Sequence, residues 1–512
     1  MGTPPGQGPV HVVGGGLAGS ECAWQLAERG VAVVLHEMRP ERSTPAHSTG
    51  WLAELVCSNS FRSDDPHHAA GLLKREMEAF GSLVIGSARA AAVPAGAALA
   101  MDRDRFAERV SASVAGHPRI ELRRGEVEAL PGPDGEEDWV VATGPLTSPA
   151  LSAALGELLG SEYLYFYDAI APIVEGESLD LSKMFWQSRW GKGEGDDYLN
   201  SPLDREGYLA FHRALVEAEV LPLHDFEQAM FFEGCLPIEE LARRGEDTLR
   251  YGCMKPVGLT APDGSRPYAV VQLRREDLAK SQLNLVGFQS RMKWPEQRRV
   301  FAMLPGLERA ELVRMGQIHR NTFVNAPTHL DAHYRVTARP RVRLAGQITG
   351  VEGYLESAAT GLAIALYLAL ERLGSGAGVG GPEPLPAATA LGSLARHLTE
   401  SDPRRFQPAN VNYGLFPELP GRVRKRDRRA AYAGRAHREL AAWAERAGVP
   451  LDPRPLHAGD EEVRPERRSP AAARRAGPQP DRAPDGPGSA GGSPSEASPA
   501  DATAPAEPVG VG

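Results

Sequence analysis

Apolar positions near the start of the chain fall in an order that defines one folding unit. Val10 to Val13 is a mainly apolar run, residues 14–16 are glycine, a segment with helical spacing follows as far as Gly30, and a second apolar run from Val31 to Leu35 ends at Glu37. The pattern predicts a strand, a turn, a helix and a second strand. Further on, Gly71–Phe80 and Met101–Ala115 carry apolar residues at helical spacing, and Arg119–Val127 and Trp139–Ala142 read as strands. Late in the chain the same order returns. Val342–Ala345 predicts a short strand, residues 346–353 a glycine loop, and Tyr354–Leu373 a long apolar helix. Ala390–Thr399 and the basic stretch Arg424–Ala447 predict two more helices.

Gly14, Gly16 and Gly19 stand in G-x-G-x-x-G spacing, which lets the backbone turn tightly, approach a pyrophosphate and pack helix against strand. Gly14, Gly15, Gly16, Leu17, Ala18 and Gly19 are therefore the candidate phosphate cradle. Glu37 is the candidate acceptor for an adenosine ribose. The strand ending at Ala142 runs into Thr143 and Gly144, a turn of the kind that lies beside the first glycine loop in two-dinucleotide flavoproteins. Gly346, Gln347 and Gly350 open the late helix, whose positive end suits negative charge on a reduced flavin. With no second G-x-G-x-x-G, the two Rossmann-like blocks read as one discontinuous domain, which favours FAD over NAD.

Between the blocks the character changes. Aromatic and charged residues interleave in YLYFYDAIAPIV, MFWQSRWGKGEGDDYLN and NLVGFQSRMKWPEQRRVF. The expected class is α/β: a discontinuous Rossmann-like FAD-binding domain (9–162 and 326–450, ending in a basic helical segment) with an inserted α+β domain (163–325) facing the substrate. Residues 451–512 are rich in Pro, Ala, Gly, Ser and Arg, a composition that predicts a disordered tail.

Composition narrows the chemistry. Four cysteines (Cys22, Cys57, Cys235, Cys253) lie far apart without C-x-x-C spacing, against a disulfide scaffold or a cysteine-only zinc site. His67 and His68 lack a spaced third ligand, so no metal is expected. The net charge of -9 argues against nucleic acid, but Arg422, Arg424, Lys425, Arg426, Arg428 and Arg429 form a dense basic run. Local patches decide whether a phosphate backbone docks. No window has the apolar length of a membrane span, and MGTPPGQGP has no signal-peptide pattern, so the expected compartment is the cytoplasm.

Several strings together carry a resemblance: GGGLAGSE, ELVCSNSFRS, FEGCLPIEEL, YGCMKPVGL, RPYAVVQLR, AGQITGVEGYLES and PANVNYGLFP. From about Val10 to the mid-440s the chain resembles the folate- and FAD-dependent tRNA (uracil-5-)-methyltransferases, the TrmFO family. The wider superfamily includes the larger flavoprotein of wobble-uridine modification, which shares the glycine loops. The resemblance implies that methylenetetrahydrofolate supplies a one-carbon unit, that reduced FAD carries it and supplies hydride, and that NADPH or NADH re-reduces the flavin. The acceptor it implies is the T-loop uridine of tRNA (U54), which becomes ribothymidine. It further implies Cys235 as the nucleophile toward uracil and Cys57 as the second catalytic cysteine, assigned to proton removal. Phe61 stands where the family has leucine.

Uracil carbon 5 needs this help because it is a poor nucleophile until a thiolate adds at carbon 6 and makes the ring an enolate. Cys22 reads as a buried helix residue, and Cys253 is left open between burial and the active site. Tyr165, Tyr167 and Asp168 are candidates for the pteridine, Lys255 and Arg291 for the folate glutamate or an RNA phosphate, and Arg424 and Lys425 for the tRNA T-arm. Three alternatives stay open: a flavin oxidoreductase acting on a small molecule or thiol, an RNA-binding flavoprotein in which FAD is structural, and a related methyltransferase of ribosomal RNA.

Overall fold

The computed structural model describes residues 8–44, 46–160, 164–221, 236–374 and 381–457. Cys235 and the tail beyond residue 457 lie outside the described residues.

The first unit forms as its apolar pattern dictates. Strand Val10–Val13 leads into helix Leu17–Glu28 and then strand Val33–Glu37. The strands pair in parallel in a six-stranded sheet ordered 335–336, 339–344, 139–141, 10–13, 33–37, 120–124. Only the edge strand Arg335–Val336 runs antiparallel. Strand Arg339–Leu344 arrives from the far end of the sequence and lies against Trp139–Val141, so both ends of the folded chain build one sheet. Helix Tyr354–Leu373 packs on helix Leu17–Glu28 so closely that a methyl group on Gly361 would stand 2.1 Å from the Ala18 carbonyl oxygen. One hydrophobic core joins these parts through Val12, Leu26, Val140, Leu344, Ile364 and Trp443. Helix Tyr354–Leu373 is buried over most of its length by this packing, and no helix among the described residues is long and apolar enough to cross a membrane.

The middle of the chain builds a second core, including Leu199, Phe211, Val271, Leu283 and Phe301. Its sheet is antiparallel throughout, ordered 185–186, 198–203, 269–275, 282–285, 173–175, 312–314. Strands Leu164–Ile170 and Gln317–Phe323 pair with each other on the way into and out of this region. A small sheet, 60–63 with 98–101 and 92–93, follows the Cys57 segment.

Candidate active site

A channel runs along the C-terminal ends of the parallel strands, where α/β sheets place their ligands. It is lined by Gly14, Gly16, Leu17, Ala18, Glu37, Thr143, Gly144, Gly346, Gln347, Tyr354 and Ser357 among others. Gly14 has a φ of 101°, and a side chain there would meet the Ala142 carbonyl oxygen at 2.6 Å. A methyl group on Gly19 would lie 1.8 Å from the Gly14 carbonyl oxygen. Helix Leu17–Glu28 starts at Gly16 and helix Tyr354–Leu373 at Gly353, both without a side-chain cap, so first-turn N–H groups stay available to an anion. Gly15 N–H donates to Glu37 Oε2 at 2.8 Å. Burial opposes ionisation of Glu37, but hydrogen bonds from Arg39 and Gly15 hold its carboxyl below the usual range. Tight glycine contacts, open helix starts and an acid at the second strand's end fit a dinucleotide such as FAD.

A second cavity of about 510 Å³ adjoins the channel, of a size that suits a small-molecule or base ligand. Val56, Pro145, Leu146, Gln347 and Tyr354 line both. Cys57 lies on the wall of the second cavity with Ser58, Ser60, Phe61, Arg62, Arg274, Asn284 and Asn321.

The backbone around Cys57 is held from several directions. Cys57 N–H donates to Tyr354 Oη at 2.6 Å, and Ser58 N–H reaches the same oxygen at 3.3 Å. The Cys57 carbonyl accepts from Arg103 and Arg314, each at 3.3 Å. Arg274 Nε donates to Asn59 Oδ1 at 2.8 Å and its Nη2 to Ser58 Oγ at 3.0 Å. Lys74, fully buried, donates to the carbonyls of Phe61 and Ser63 at 2.8 Å each. Upstream, Arg39 pairs with both Glu37 and Glu54, tying the Glu37 side of the channel to the loop that leads to Cys57. Phe61 is buried edge-on to Phe106 and Tyr354.

Other sequence candidates fall elsewhere. Gly350 has a φ of 93° and packs against Phe406 outside both cavities. Lys255 and Arg291 line neither; Arg291 is bound to Glu240 and to the Leu221 carbonyl. Tyr165, Tyr167 and Asp168 are on strand Leu164–Ile170, whose last residue, Ile170, lines the second cavity; their side chains fall outside the described part of the chain. Arg424 and Lys425 are exposed, just before helix Arg428–Ala447. The described chain resumes after Cys235 at Leu236, and Ile238 N–H donates to the carbonyl of Gln289 on the cavity wall at 2.7 Å. Cys22 is buried in the first helix, and burial raises its thiol pKa. Burial pushes the Cys253 thiol up to about 12, where it packs against Gly287. Glu194, Asp196 and Asp197 bring carboxylate oxygens within 4.8 Å of one another, outside both cavities. Sequence reasoning passed over Tyr354, Arg274 and Asn284. Arg274 had a local sign, being the arginine that follows the mainly apolar run 269–273.

A parallel sheet completed by a late strand, with a glycine-loop channel opening on a second cavity that Cys57 walls, is the architecture of a dinucleotide-binding α/β protein. The profile of the family described as "Glucose inhibited division protein A" matches residues 9–375. The chain is similar to the Aquifex aeolicus GidA structure (form II crystal), with a TM-score of 0.63, 16% identity and coverage of 90% of this chain and 77% of that one. Two proteins named "Methylenetetrahydrofolate--tRNA-(uracil-5-)-methyltransferase TrmFO" are nearer in sequence. The one from Pelobacter propionicus is 54% identical over 444 residues, 86% of this chain and 96% of its own length. The one from Anaeromyxobacter dehalogenans (strain 2CP-C) is 57% identical over 450 residues, 87% and 98% respectively. The chain belongs to the TrmFO family, within the wider GidA group.

Proposed function

We propose that this chain is a methylenetetrahydrofolate- and FAD-dependent methyltransferase that converts the T-loop uridine of tRNA, U54, to ribothymidine. The observation that carries the reading is the shared wall of channel and cavity: Val56 and Tyr354 border both, and Cys57 follows directly on the cavity side. Identity above 50% to the TrmFO relatives over nearly their whole length supports the substrate pair.

The glycine loop, Glu37, Thr143, Gly144, Gly346 and Gln347 hold the cofactor. FAD held there would supply the reducing equivalents for the one-carbon transfer, with NADPH or NADH as their source. Cys235 adds through its thiolate to uracil carbon 6, and the ring electrons move onto O4 as an enolate. Carbon 5 bonds to the one-carbon unit; Cys57, or a water it activates, then takes the carbon-5 proton, and a hydride completes the methyl group as the Cys235 thiolate leaves carbon 6. Its backbone is clamped by Tyr354, Arg103 and Arg314, which fixes where that thiol stands. The base must leave the T-loop stack to reach the cavity, at a cost of a few kcal/mol that backbone contacts offset. The basic run at Arg424 and Lys425 supplies part of that contact, in the cytoplasm where tRNA is modified.

The test is transfer of label from carbon-labelled methylenetetrahydrofolate to unmodified tRNA transcript, with FAD and NADPH. Wild type labels the T-loop uridine, and Cys235→Ala and Cys57→Ala each lower the rate by at least about a hundredfold, a size typical for loss of a covalent or proton-transfer group. An intact yellow wild-type protein that labels no tRNA overturns the reading, and labelling of ribosomal RNA in its place redirects it.

A further inference from the structure

Asn284 is 4% exposed on the wall of the second cavity, and its Nδ2 is buried without a hydrogen-bond partner. Buried amide donors are almost always paired, so an unpaired one on a cavity wall calls for an explanation. Strand Gln282–Leu285 places Asn284 directly across from Arg274, so the two side chains share one face of the antiparallel sheet. Arg274 is itself bonded to Asn59 and Ser58, next to Cys57. The carboxamide thus lines the same cavity as Cys57, beside the arginine that holds Ser58 and Asn59. The flavin channel meets the cavity at a different set of residues, Val56, Pro145, Leu146, Gln347 and Tyr354, which does not include Asn284.

We infer that Asn284 recognises the lactam edge of the target uracil, Nδ2–H donating to O4 and Oδ1 accepting from N3–H. The inference rests on the methyltransferase reading and adds the residue that selects the base. A carboxamide carries donor and acceptor side by side in one plane, and the O4 and N3–H edge of uracil is its complement. The same contact serves the chemistry. When a thiolate adds to carbon 6, the C5–C6 double-bond pair shifts and negative charge develops on O4, where a fixed N–H donor holds it best. A reduced pterin also has a lactam edge, and the KM for methylenetetrahydrofolate of Asn284→Ala separates the two ligands.

The experiment uses FAD-loaded full-length protein and transcripts carrying uridine or 3-methyluridine at the target position. The 3-methyl group blocks the N3–H and leaves carbons 5 and 6 unchanged. Wild type is expected to methylate the uridine transcript and to lose roughly tenfold or more in kcat/KM on 3-methyluridine, as sites built to bind a polar edge do. Asn284→Ala is expected to lose a similar factor on uridine, with unchanged KM for methylenetetrahydrofolate and an unchanged flavin spectrum. Wild type turning over 3-methyluridine at the uridine rate overturns the inference, and so does an Asn284→Ala loss confined to the folate KM. If Asn284→Ala fails to hold FAD, the 3-methyluridine comparison on wild type decides alone. A wild type inactive on uridine transcripts removes the methyltransferase reading, and this inference with it, whereas equal activity on both transcripts removes the inference only.

Discussion

Gly19 shows how a single missing methyl group organises the cofactor channel. Its position 1.8 Å from the Gly14 carbonyl, measured from where a Cβ would stand, leaves no room for any side chain, and both atoms in the clash are backbone-bound. Gly19→Ala must push the first helix off the glycine loop, so the variant is expected to purify colourless, without FAD, as its visible spectrum would show. Tyr354 lines both the channel and the second cavity, and its hydroxyl holds the cysteine segment. Its hydroxyl accepts from both Cys57 and Ser58, and burial holds the phenol pKa well above its ordinary value, so it stays neutral. Tyr354→Phe strands two N–H groups, at a cost of about 1–3 kcal/mol. The expected result is a lower denaturant midpoint and a single-turnover methyl-transfer rate that falls more than FAD affinity does. Equal losses in both would place Tyr354 with the cofactor instead.

At the scale of strands and helices, what was legible in the sequence was whatever is fixed locally. The strands at 10–13, 33–37 and 139–141 and the helix Tyr354–Leu373 follow from apolar runs punctuated by glycine. Helices Leu83–Ala90 and Pro149–Leu159 and the small sheet at 60–63 were not legible, because their short runs gain order only from the elements they pack on. The site divides in the same way. The glycine loop that lines the channel is contiguous and can be read, whereas the group that holds Cys57 lies 297 residues away in Tyr354, and no local pattern marks it. The parallel sheet also hides a titrating layer. His11, His36 and Trp139 come from three adjacent strands and stack, with His11 Nδ1 3.0 Å from His36 Nε2. Burial first, then the charges of His11 and Arg123, bring the His36 pKa to about 4, against the pull of Glu121. Burial also lowers His11, though Glu137 opposes it. Between pH 6.5 and about 4 the unfolded chain binds protons at His36 that the folded chain does not. Stability from this group is therefore full above 6.5 and lost as pH falls through that window. With allowance for partial exposure the loss is about 1–2 kcal/mol. His36→Phe should lose less stability than wild type between about pH 7 and 4.5 in urea titrations, and an unchanged difference would remove His36 as the source.

Over the whole molecule, charge and length are distributed so that RNA contact and the tail can be separated. The chain carries a net charge of -9, so a tRNA must be held by a local excess of cations. Arg422, Arg424, Lys425, Arg426, Arg428 and Arg429 are all exposed or half-exposed, and the described ion pairs take up only Arg426, which faces Asp427 at 3.5 Å. The TrmFO relatives are matched over 96–98% of their own length while 86–87% of this chain is used, so the long extension has no counterpart in them. Its arginines are interspersed with acids such as Asp460, Glu461 and Glu462. These facts predict opposite results for two variants. Changing Arg424, Lys425 and Arg428 together to glutamine should weaken tRNA binding and lower the slope of log affinity against log salt, by about one for each phosphate that the variant leaves unneutralised. Ending the chain after His457 should leave affinity, salt slope and methyl transfer within about twofold of wild type, because fixed cations and not chain length set the electrostatic attraction. Filter binding across a salt series measures both. A truncated protein with the reduced slope, beside a triple variant with the full one, would assign the RNA contact to the extension rather than to the basic run.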